Sequence, residues 1–336
     1  MPGMRLAAVL LVAALVLSCR DRAEGPLELR FGHVANPTSL GGLSAQEFAR
    51  RVNERLKGRA NVTVFGSSQL GDDETLLLKL KLGTVDFSMP STIMSSVVDE
   101  FGFFEMPYLV RDRAHVKRIR EEIFWEKIAP AAERKGLLIL GLWENGFRQV
   151  TNSIRPIVGP EDLAGVKLRT PRGRWRIRLF QSYGAHPTPM SLAEVFVALQ
   201  TGVIDGQENP LTQIQTQKFQ EVQRYLSLTN HVYSPSYLAT GKERWESLPA
   251  DVREAVREAA RETEDWVLET AERLDREMLT DLRAAGMEVN EADRARFVAA
   301  SEAIYEELDA ELPGASDWTR QALALAEEAP ETTPAP

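Results

Sequence analysis

The chain has 336 residues, a length that suits about two domains, and its 43% hydrophobic and 26% charged content is ordinary for a globular protein. A net charge of −9 with no basic block excludes a nucleic-acid binder that works through a broad positive field, so any bound anion needs a local cation. One cysteine permits no internal disulfide, and four histidines at 33, 115, 186 and 231 show no metal spacing; no metal and no cofactor is assigned.

Residues 1–19 read as a leader outside the fold. Arg5 precedes the apolar run from Leu6 to Leu17, which is too short to span a bilayer comfortably. Val16-Leu17-Ser18-Cys19 resembles a bacterial lipobox, in which Cys19 becomes the lipidated N-terminus. Leu17 departs from the commonest residue of that pattern, and an ordinary cleaved signal with an incidental cysteine is the alternative. Residues 20–26 form a short tether.

Leu27 to Val34 alternates apolar and polar, as a strand does. The loop Asn36-Pro37-Thr38-Ser39 leads to a helix with Phe48, Val52 and Leu56 on one face. Asn61 to Phe65 is the next strand, and strand–helix–strand implies a mostly parallel sheet. Gly66 to Glu74 runs into a helix whose acidic first turn suits the helix dipole, with Leu76, Leu77 and Leu80 as its apolar face. Gly83 closes it, and Thr84 to Met89 leads to Pro90-Ser91-Thr92. After a helical stretch over 112–135, Leu137 to Trp143 is a continuous apolar run, a fully buried strand that emerges at Glu144 to Gln149. His33, at a strand end, is within reach of a ligand or is a satisfied structural histidine.

A turn from Gly159 to Gly165 delivers Val166-Lys167-Leu168-Arg169, a short buried strand that stops at Thr170-Pro171. Ligands of open α/β sheets collect at the C-terminal ends of strands, and the planar fork of an arginine matches a carboxylate with two parallel bonds. Arg169 is therefore a candidate carboxylate partner, with a structural ion pair as the alternative. Trp175, Leu179 and Phe180 follow on a helical period. The interspersed Arg172, Arg174, Arg176 and Arg178 read as a solvated helix face, with Arg172 set apart by its closeness to the strand end. Ser191-Leu192-Ala193-Glu194 fits a capping box, and its helix runs to Gly202.

Leu80 to Asp86 and Leu199 to Asp205 share a layout: amphipathic helix, closing glycine, brief strand ending in aspartate, proline a few residues on. This is either a weak internal repeat or two unrelated units. As a repeat it implies two lobes facing a shared cleft, with Ser88 to Thr92 opposite Gln207 to Asn209. Asn230 to Leu238 reads as a crossing back to the first lobe. Residues 251–285 read as one helix long enough to brace both lobes, Gly286 to Val289 as a short break, and 291–310 as helical. The terminal tail, rich in proline, threonine and glutamate, reads as disordered.

Several separated segments then carry a resemblance. They include Leu29-Arg30-Phe31-Gly32-His33, Gln69-Leu70-Gly71-Asp72, Met106-Pro107-Tyr108-Leu109, Asn145-Gly146-Phe147-Arg148-Gln149, Gly165 to Arg169 and, most specific as a unit, Glu194 to Pro210. Over residues 27–310 the chain resembles the extracytoplasmic solute-binding subunit of tripartite ATP-independent periplasmic (TRAP) transporters, the DctP-type family. The resemblance implies an α/β fold, a two-lobed periplasmic binding protein of type II-like build with an interlobe cleft and a long bracing C-terminal helix. On that plan residues 27–146 and 235–274 form lobe I, 147–234 and 275–326 form lobe II, and 327–336 are the tail. It implies that Arg169 pairs with the carboxylate of an organic acid, that Arg148 helps, and that Asn209 donates a hydrogen bond. Ser91, Thr92, Asn36, Asp73, Tyr233 and Tyr237 are candidates for tuning the choice of acid. Sialic-acid-binding members have a glutamate around Ser91 and an aromatic at Leu192, which argues against a sialic acid here. Members that bind 2-oxo acids through a metal differ over Gln207 to Pro210, which argues for a metal-free site. C4-dicarboxylates, sugar acids, and aromatic or branched monocarboxylates stay open.

The expected function is thus an extracytoplasmic protein, a monomer anchored to the membrane only through Cys19, that hands an organic acid to a membrane permease. A sensor signalling to a kinase is the second reading. A hydrolase or lyase using Glu144, Glu208 and His33 is the third, although no nucleophile–base pair, P-loop or dinucleotide motif is present.

Overall fold

A computed structural model describes residues 25–327; the leader, Cys19, the tether up to residue 24 and the tail from 328 lie outside the described residues. The chain opens with β1 (Leu27–Gly32), α1 (Leu40–Arg55) and β2 (Ala60–Phe65), and β1 and β2 pair in parallel as the alternation predicts. Next come α2 (Asp73–Lys81), β3 (Phe87–Ser88), α3 (Arg113–Ile119) and β4 (Leu137–Asn152). The second half has β5 (Lys167–Thr170), α4 (Arg174–Ser182), β6 (His186–Pro189), α5 (Leu192–Gln200), β7 (Gly206–Pro210), α6 (Leu211–Thr216) and β8 (Tyr225–Leu228). β9 (Tyr233–Gly241), α7 (Ala250–Ala284), β10 (Glu288–Glu291), α8 (Arg294–Ala300), α9 (Glu302–Glu311) and α10 (Ala315–Glu327) complete it.

β4 joins the two halves of the sheet, whose order is β2-β1-β3-β9-β4-β7-β5-β6, with β8 and β10 beyond β4. Residues 137–147 of β4 pair with β9, while 148–152 pair with β7 and 150–152 also with β8. The apolar run predicted only the first seven of these sixteen residues, because the second half is polar. It stays a strand because its polar side chains find partners. Gln149 Nε2 donates to Asn230 Oδ1 at 2.6 Å, and Thr151 Oγ1 accepts from Gln207 Nε2 at 2.8 Å.

The repeat seen in the sequence has a structural counterpart. Asp86 N donates to Arg30 O on β1 at 2.9 Å and the Asp86 carboxylate accepts from Arg30 N at 2.6 Å. Asp205 does the same to Lys167 on β5, at 2.8 Å in both directions. Each aspartate thus stands before its strand and ties it to the neighbouring parallel strand, rather than ending a strand as the sequence layout suggested. Gly83 and Gly202, at φ of +66° and +72°, make the left-handed turns that bring the chain from helix to aspartate.

α7 is the predicted brace, 35 residues long. Val252, Val256, Ala259, Ala260, Val267 and Ala271 pack in the core that holds Phe31, Phe48 and Trp143; two turns further, Leu279 and Leu282 enter the core of Val195, Leu199 and Phe219. One apolar stripe therefore serves both halves. The last segment departs from the expected division. Residues up to 311 stay with the second half, but α10, assigned with 275–326 to lobe II, returns to the first. Its Ala322 and Leu325 carbonyls accept from His115 and Arg118, at 2.7 and 2.8 Å, and its apolar face packs on the residues that follow α2.

The reciprocal aspartate ties yield a stability prediction. Asp205→Ala leaves the Lys167 N–H without its acceptor and should lower the unfolding free energy by about 1 kcal/mol. Urea denaturation measures this; an unchanged midpoint would show that the tie contributes nothing.

Candidate functional site

Between the two halves lies a cavity of about 850 Å³, its open mouth included. Arg169, the third residue of β5, lines it, with Leu168 buried beneath in the core. Its Nε and Nη2 both donate to the Met190 carbonyl, at 3.1 and 2.8 Å, and no carboxylate pairs with it among the described residues. The carbonyl orients the guanidinium but does not neutralise it. Burial pushes the Arg169 pKa down to about 10, against the pull of Glu208 and Asp73. The group is still a cation at neutral pH, and it lacks a counter-charge.

Arg148 on β4 and Asn209 on β7 line the same cavity. Expected as a direct ligand partner, Arg148 is largely engaged already. Its Nε and Nη2 hold both oxygens of Glu208, and Nη2 also donates to the Glu208 carbonyl at 2.7 Å and to Asn209 Oδ1 at 3.2 Å. Asn209 Nδ2 donates to Gln207 Oε1 at 2.6 Å. Only Nη1 of Arg148 is left without a partner among the described residues.

Behind these side chains is a charge cluster that sequence reasoning missed. Arg176, read as part of a solvated helix face, is fully buried. Its Nη1 donates to Glu208 at 2.6 Å and its Nη2 to Glu105 at 2.9 Å. His231 Nε2 lies 3.1 Å from Glu208. The signal was available: Arg176 stands three and four positions from Leu179 and Phe180, on the apolar side of α4. Its neighbours do face solvent. Arg174 and Arg178 stack on the Trp175 ring and pair with Asp99, Glu307 and Glu311.

Burial alone would raise the Glu208 pKa, but Arg148 and Arg176 hold its carboxyl far below the usual range. Burial likewise works against the Arg176 charge, and Glu105 and Glu208 outweigh it. Burial pushes His231 down to about 4, so it is neutral at pH 7. The cluster then balances: two guanidinium groups on two carboxylates. Arg169 is the remaining charge.

Of the other expected residues, Asp73, Ser91, Thr92 and Leu192 line the cavity. Ser91 Oγ donates to the Pro235 carbonyl at 2.6 Å. Asp73, at the start of α2, is partly exposed; loss of surrounding water pushes its carboxyl up to about 6, with Arg169 opposing. Three expected residues do not reach the cavity. Asn36 turns its own loop, accepting from Thr38 N at 3.0 Å, and its Nδ2 reaches the Thr216 carbonyl of the second half at 3.4 Å. Tyr233 packs on Phe147 and bonds Glu144, while Tyr237 is enclosed by Phe101, Phe104 and Phe124. Side chains alternate along β9, and it is Ser236, of the opposite parity, that lines the cavity. Asn145 also lines it, from an irregularity where Glu144 pairs with Pro235 and Gly146 with Ser234. Such a bulge re-aims one side chain, and pattern alone does not reveal it.

Glu144, Glu208 and His33, the trio of the enzymatic reading, share no wall. Glu144 is buried against Arg113, Glu208 lies in the cluster, and His33 is buried beside Phe31 and Gly66. Among the described residues no group of histidine, cysteine and carboxylate side chains converges as metal ligands.

A cavity between two halves with an unneutralised guanidinium in its wall is a site for a small anion. The profile of the DctP family, bacterial extracellular solute-binding protein family 7, matches residues 31–311. The chain belongs to the DctP family. It is 33% identical over 271 residues to the 2,3-diketo-L-gulonate-binding periplasmic protein YiaO of Escherichia coli K12, covering 80% of this chain and 83% of that one. The sugar-acid-binding protein of Advenella mimigardefordensis, solved with galactonate, superposes at a TM-score of 0.86 with 32% identity, covering 91% of this chain and 99% of that one. A TRAP periplasmic solute-binding protein of Sulfurospirillum deleyianum, solved with succinate, gives 0.84 with 30% identity and covers 89% and 99%. The fold is therefore the two-lobed α/β architecture of TRAP solute-binding proteins, and the family is one of binding proteins. No helix among the described residues is long and apolar enough to cross a membrane.

The buried cluster behind this DctP-family cavity should be essential to the fold. Glu208→Gln leaves Arg148 and Arg176 buried beside a neutral amide and should cost about 3–5 kcal/mol. The Glu208 pKa is depressed, so its contribution is complete above the ordinary 4.5 and fades only as pH falls through the lower folded value. Chemical denaturation at pH 7 is the check, and a loss under about 1 kcal/mol would contradict this role.

Proposed function

We propose that the protein captures an organic acid in the interlobe cavity, with the ligand carboxylate on Arg169, and delivers it to the membrane permease of a TRAP transporter. The observation that carries the reading is the buried guanidinium of Arg169, held by a carbonyl and lacking a counter-charge. A desolvated carboxylate needs both a cation and hydrogen bonds, and Arg169 supplies both. Arg148 and Asn209, locked by Glu208 and Gln207, support the same end of the ligand from β4 and β7. The names of the relatives agree: one is a 2,3-diketo-L-gulonate-binding protein, and the solved ones hold galactonate and succinate.

Lobe I, residues 27–146 with 235–274 and α10, and lobe II, residues 147–234 with 275–311, close on the ligand. The irregularity at Gly146 on β4, opposite Ser234 on β9, is the natural hinge: the chain crosses between lobes there, and Gly146 has a φ of +133°. Closure follows because only the closed form lets one ligand touch both walls. Lipidation at Cys19 would keep the protein near its permease.

Arg169→Ala should lose about 2–5 kcal/mol of affinity, the expected penalty for leaving a buried carboxylate unpaired. The acid is chosen by a thermal-shift screen and its affinity measured by calorimetry. The wild type should contract in small-angle scattering when that acid is added, and the variant should not. Near-normal binding by the variant would refute the anchor, and an unchanged radius for the wild type would refute closure. Separately, mass spectrometry of membrane-fraction protein should show a lipid-modified Cys19; a fully soluble, unmodified mature chain would reject the anchor.

A further inference from the structure

Several polar groups in the cavity wall are left over once Arg169, Arg148 and Asn209 have been placed: Ser68, Asn145 and Ser236, whose hydroxyls and amide both donate and accept, and three whose acceptors are open. Asp73 makes no hydrogen bond or ion pair among the described residues, although its carboxylate lines the cavity. Thr92 and Gln213 are only 4% and 5% exposed, and Thr92 Oγ1 and Gln213 Oε1 are both buried without a partner. Asp73 and Thr92 belong to the first lobe and Gln213, on α6, to the second. Buried polar atoms in a folded protein are almost always paired, so Thr92 Oγ1 and Gln213 Oε1, with the partly exposed Asp73 beside them, describe the ligand that completes them.

What they ask for is a set of donors. An ionised carboxylate and an amide oxygen accept only, and a threonine hydroxyl accepts or donates. Ligand hydroxyls fit all three. A second carboxylate, which only accepts, fits neither Asp73 nor Gln213 Oε1. The charge balance points the same way. Arg148, Arg169 and Arg172 line the cavity, and so do Asp72, Asp73 and Glu74. Glu208 holds Arg148, and Glu74 lies 3.4 Å from the half-exposed Arg172. One cation is then left for one carboxylate, and Asp73 repels another. The helix starts at Asp72 and Ser191 are closed by their own side chains. Thr75 N donates to Asp72 on α2, at 2.9 Å, and Ser191 N to Glu194 on α5, also at 2.9 Å. Neither offers a second anion site.

We propose that Asp73, with Thr92 and Gln213 in the same cavity, selects a polyhydroxylated monocarboxylate, a sugar acid, and turns away a dicarboxylate. The inference rests on Arg169 as the carboxylate anchor. Asp73 is the specificity-determining group: its unpaired carboxylate in the cavity wall accepts from ligand hydroxyls. Thr92 and Gln213 reach the ligand from opposite lobes, so the same hydroxyls that identify the ligand also hold the lobes together.

The test is calorimetry with aldonates and uronates (galactonate, gluconate, galacturonate, glucuronate), with succinate, and with butanoate, which has neither hydroxyls nor a second carboxylate. The wild type should bind at least one sugar acid at least about tenfold more tightly than succinate or butanoate. In Asp73→Asn, checked for folding by its ligand-free unfolding temperature, that preference over succinate should shrink by about tenfold or more. Gln213→Met keeps volume and removes the acceptor; it should weaken the sugar acid by a larger factor than succinate. Succinate bound as tightly as every sugar acid, or an unchanged preference in both variants, overturns the inference. If succinate and butanoate bind and lose affinity in Arg169→Ala while the sugar acids fail, only the selecting wall is wrong. If no carboxylate binds, the anchor itself is wrong and the inference falls with it.

Discussion

Among the described residues Arg169 is a buried guanidinium that no carboxylate pairs with. Two unit charges about 4 Å apart interact by about 4 kcal/mol in the intermediate dielectric near a protein surface. An arginine that has lost its water and gained only a carbonyl therefore has much to gain from an arriving carboxylate. The Met190 carbonyl matters because it is a dipole and not a charge. It holds the fork of Arg169 in place, at 3.1 and 2.8 Å, while adding no net negative charge of its own. Had the residue at this position offered a carboxylate, the same geometry would be an internal ion pair and the cavity would have no anion to attract.

The balanced cluster behind the cavity follows from the same constraint. Arg148 and Arg176 lie within the field that acts on Arg169, and each unneutralised charge would push its pKa further down. Glu208 and Glu105 remove that repulsion. Glu208 is gripped by two arginines and approached by a neutral histidine. It also holds β4 and α4 to β7, so the group that silences the surplus charges is also a clamp on the second lobe's sheet. Breaking it from one side exposes the other two members, which is why such clusters tolerate replacement of all members better than loss of one.

Much of this was legible in the sequence, for definable reasons. The parallel unit of β1, α1 and β2, the capping box at Ser191, and the long brace follow from periodicity and cap chemistry, which act locally. The position of Arg169 near the end of a short buried strand was legible from the apolar run before it, whereas its pairing with a carboxylate was an expectation that came with the family resemblance. Less legible were features set by parity and by distant partners. Tyr233 and Tyr237 were candidates for tuning the choice of acid, yet an even-numbered serine on β9, Ser236, faces the cavity. The polar half of β4 looked like an exit because its partners, Asn230 and Gln207, lie far along the chain. Arg176 was misjudged by counting arginines along the chain rather than placing them around the helix.

The duplicated aspartate ties connect the fold to the chemistry. Asp86 and Asp205 each lock a strand start to a neighbouring strand, at Arg30 within β1 and at Lys167 at the head of β5, and both strands deliver their forward ends to the cavity from opposite lobes. What lies beyond those forward ends differs by lobe. Arg169 is at the end of β5, whereas β1 is followed by the apolar Val34 and Ala35, and the first lobe's charge near the cavity comes from the acidic start of α2. A ligand lying between them meets a cation on one side and carboxylates on the other. Two lobes of like construction thus present unlike chemistry, and a molecule with one acidic end and a hydroxyl-bearing end has only one favourable orientation. A symmetric diacid finds no such direction. The polarity of the cleft is therefore a consequence of where the repeat was broken.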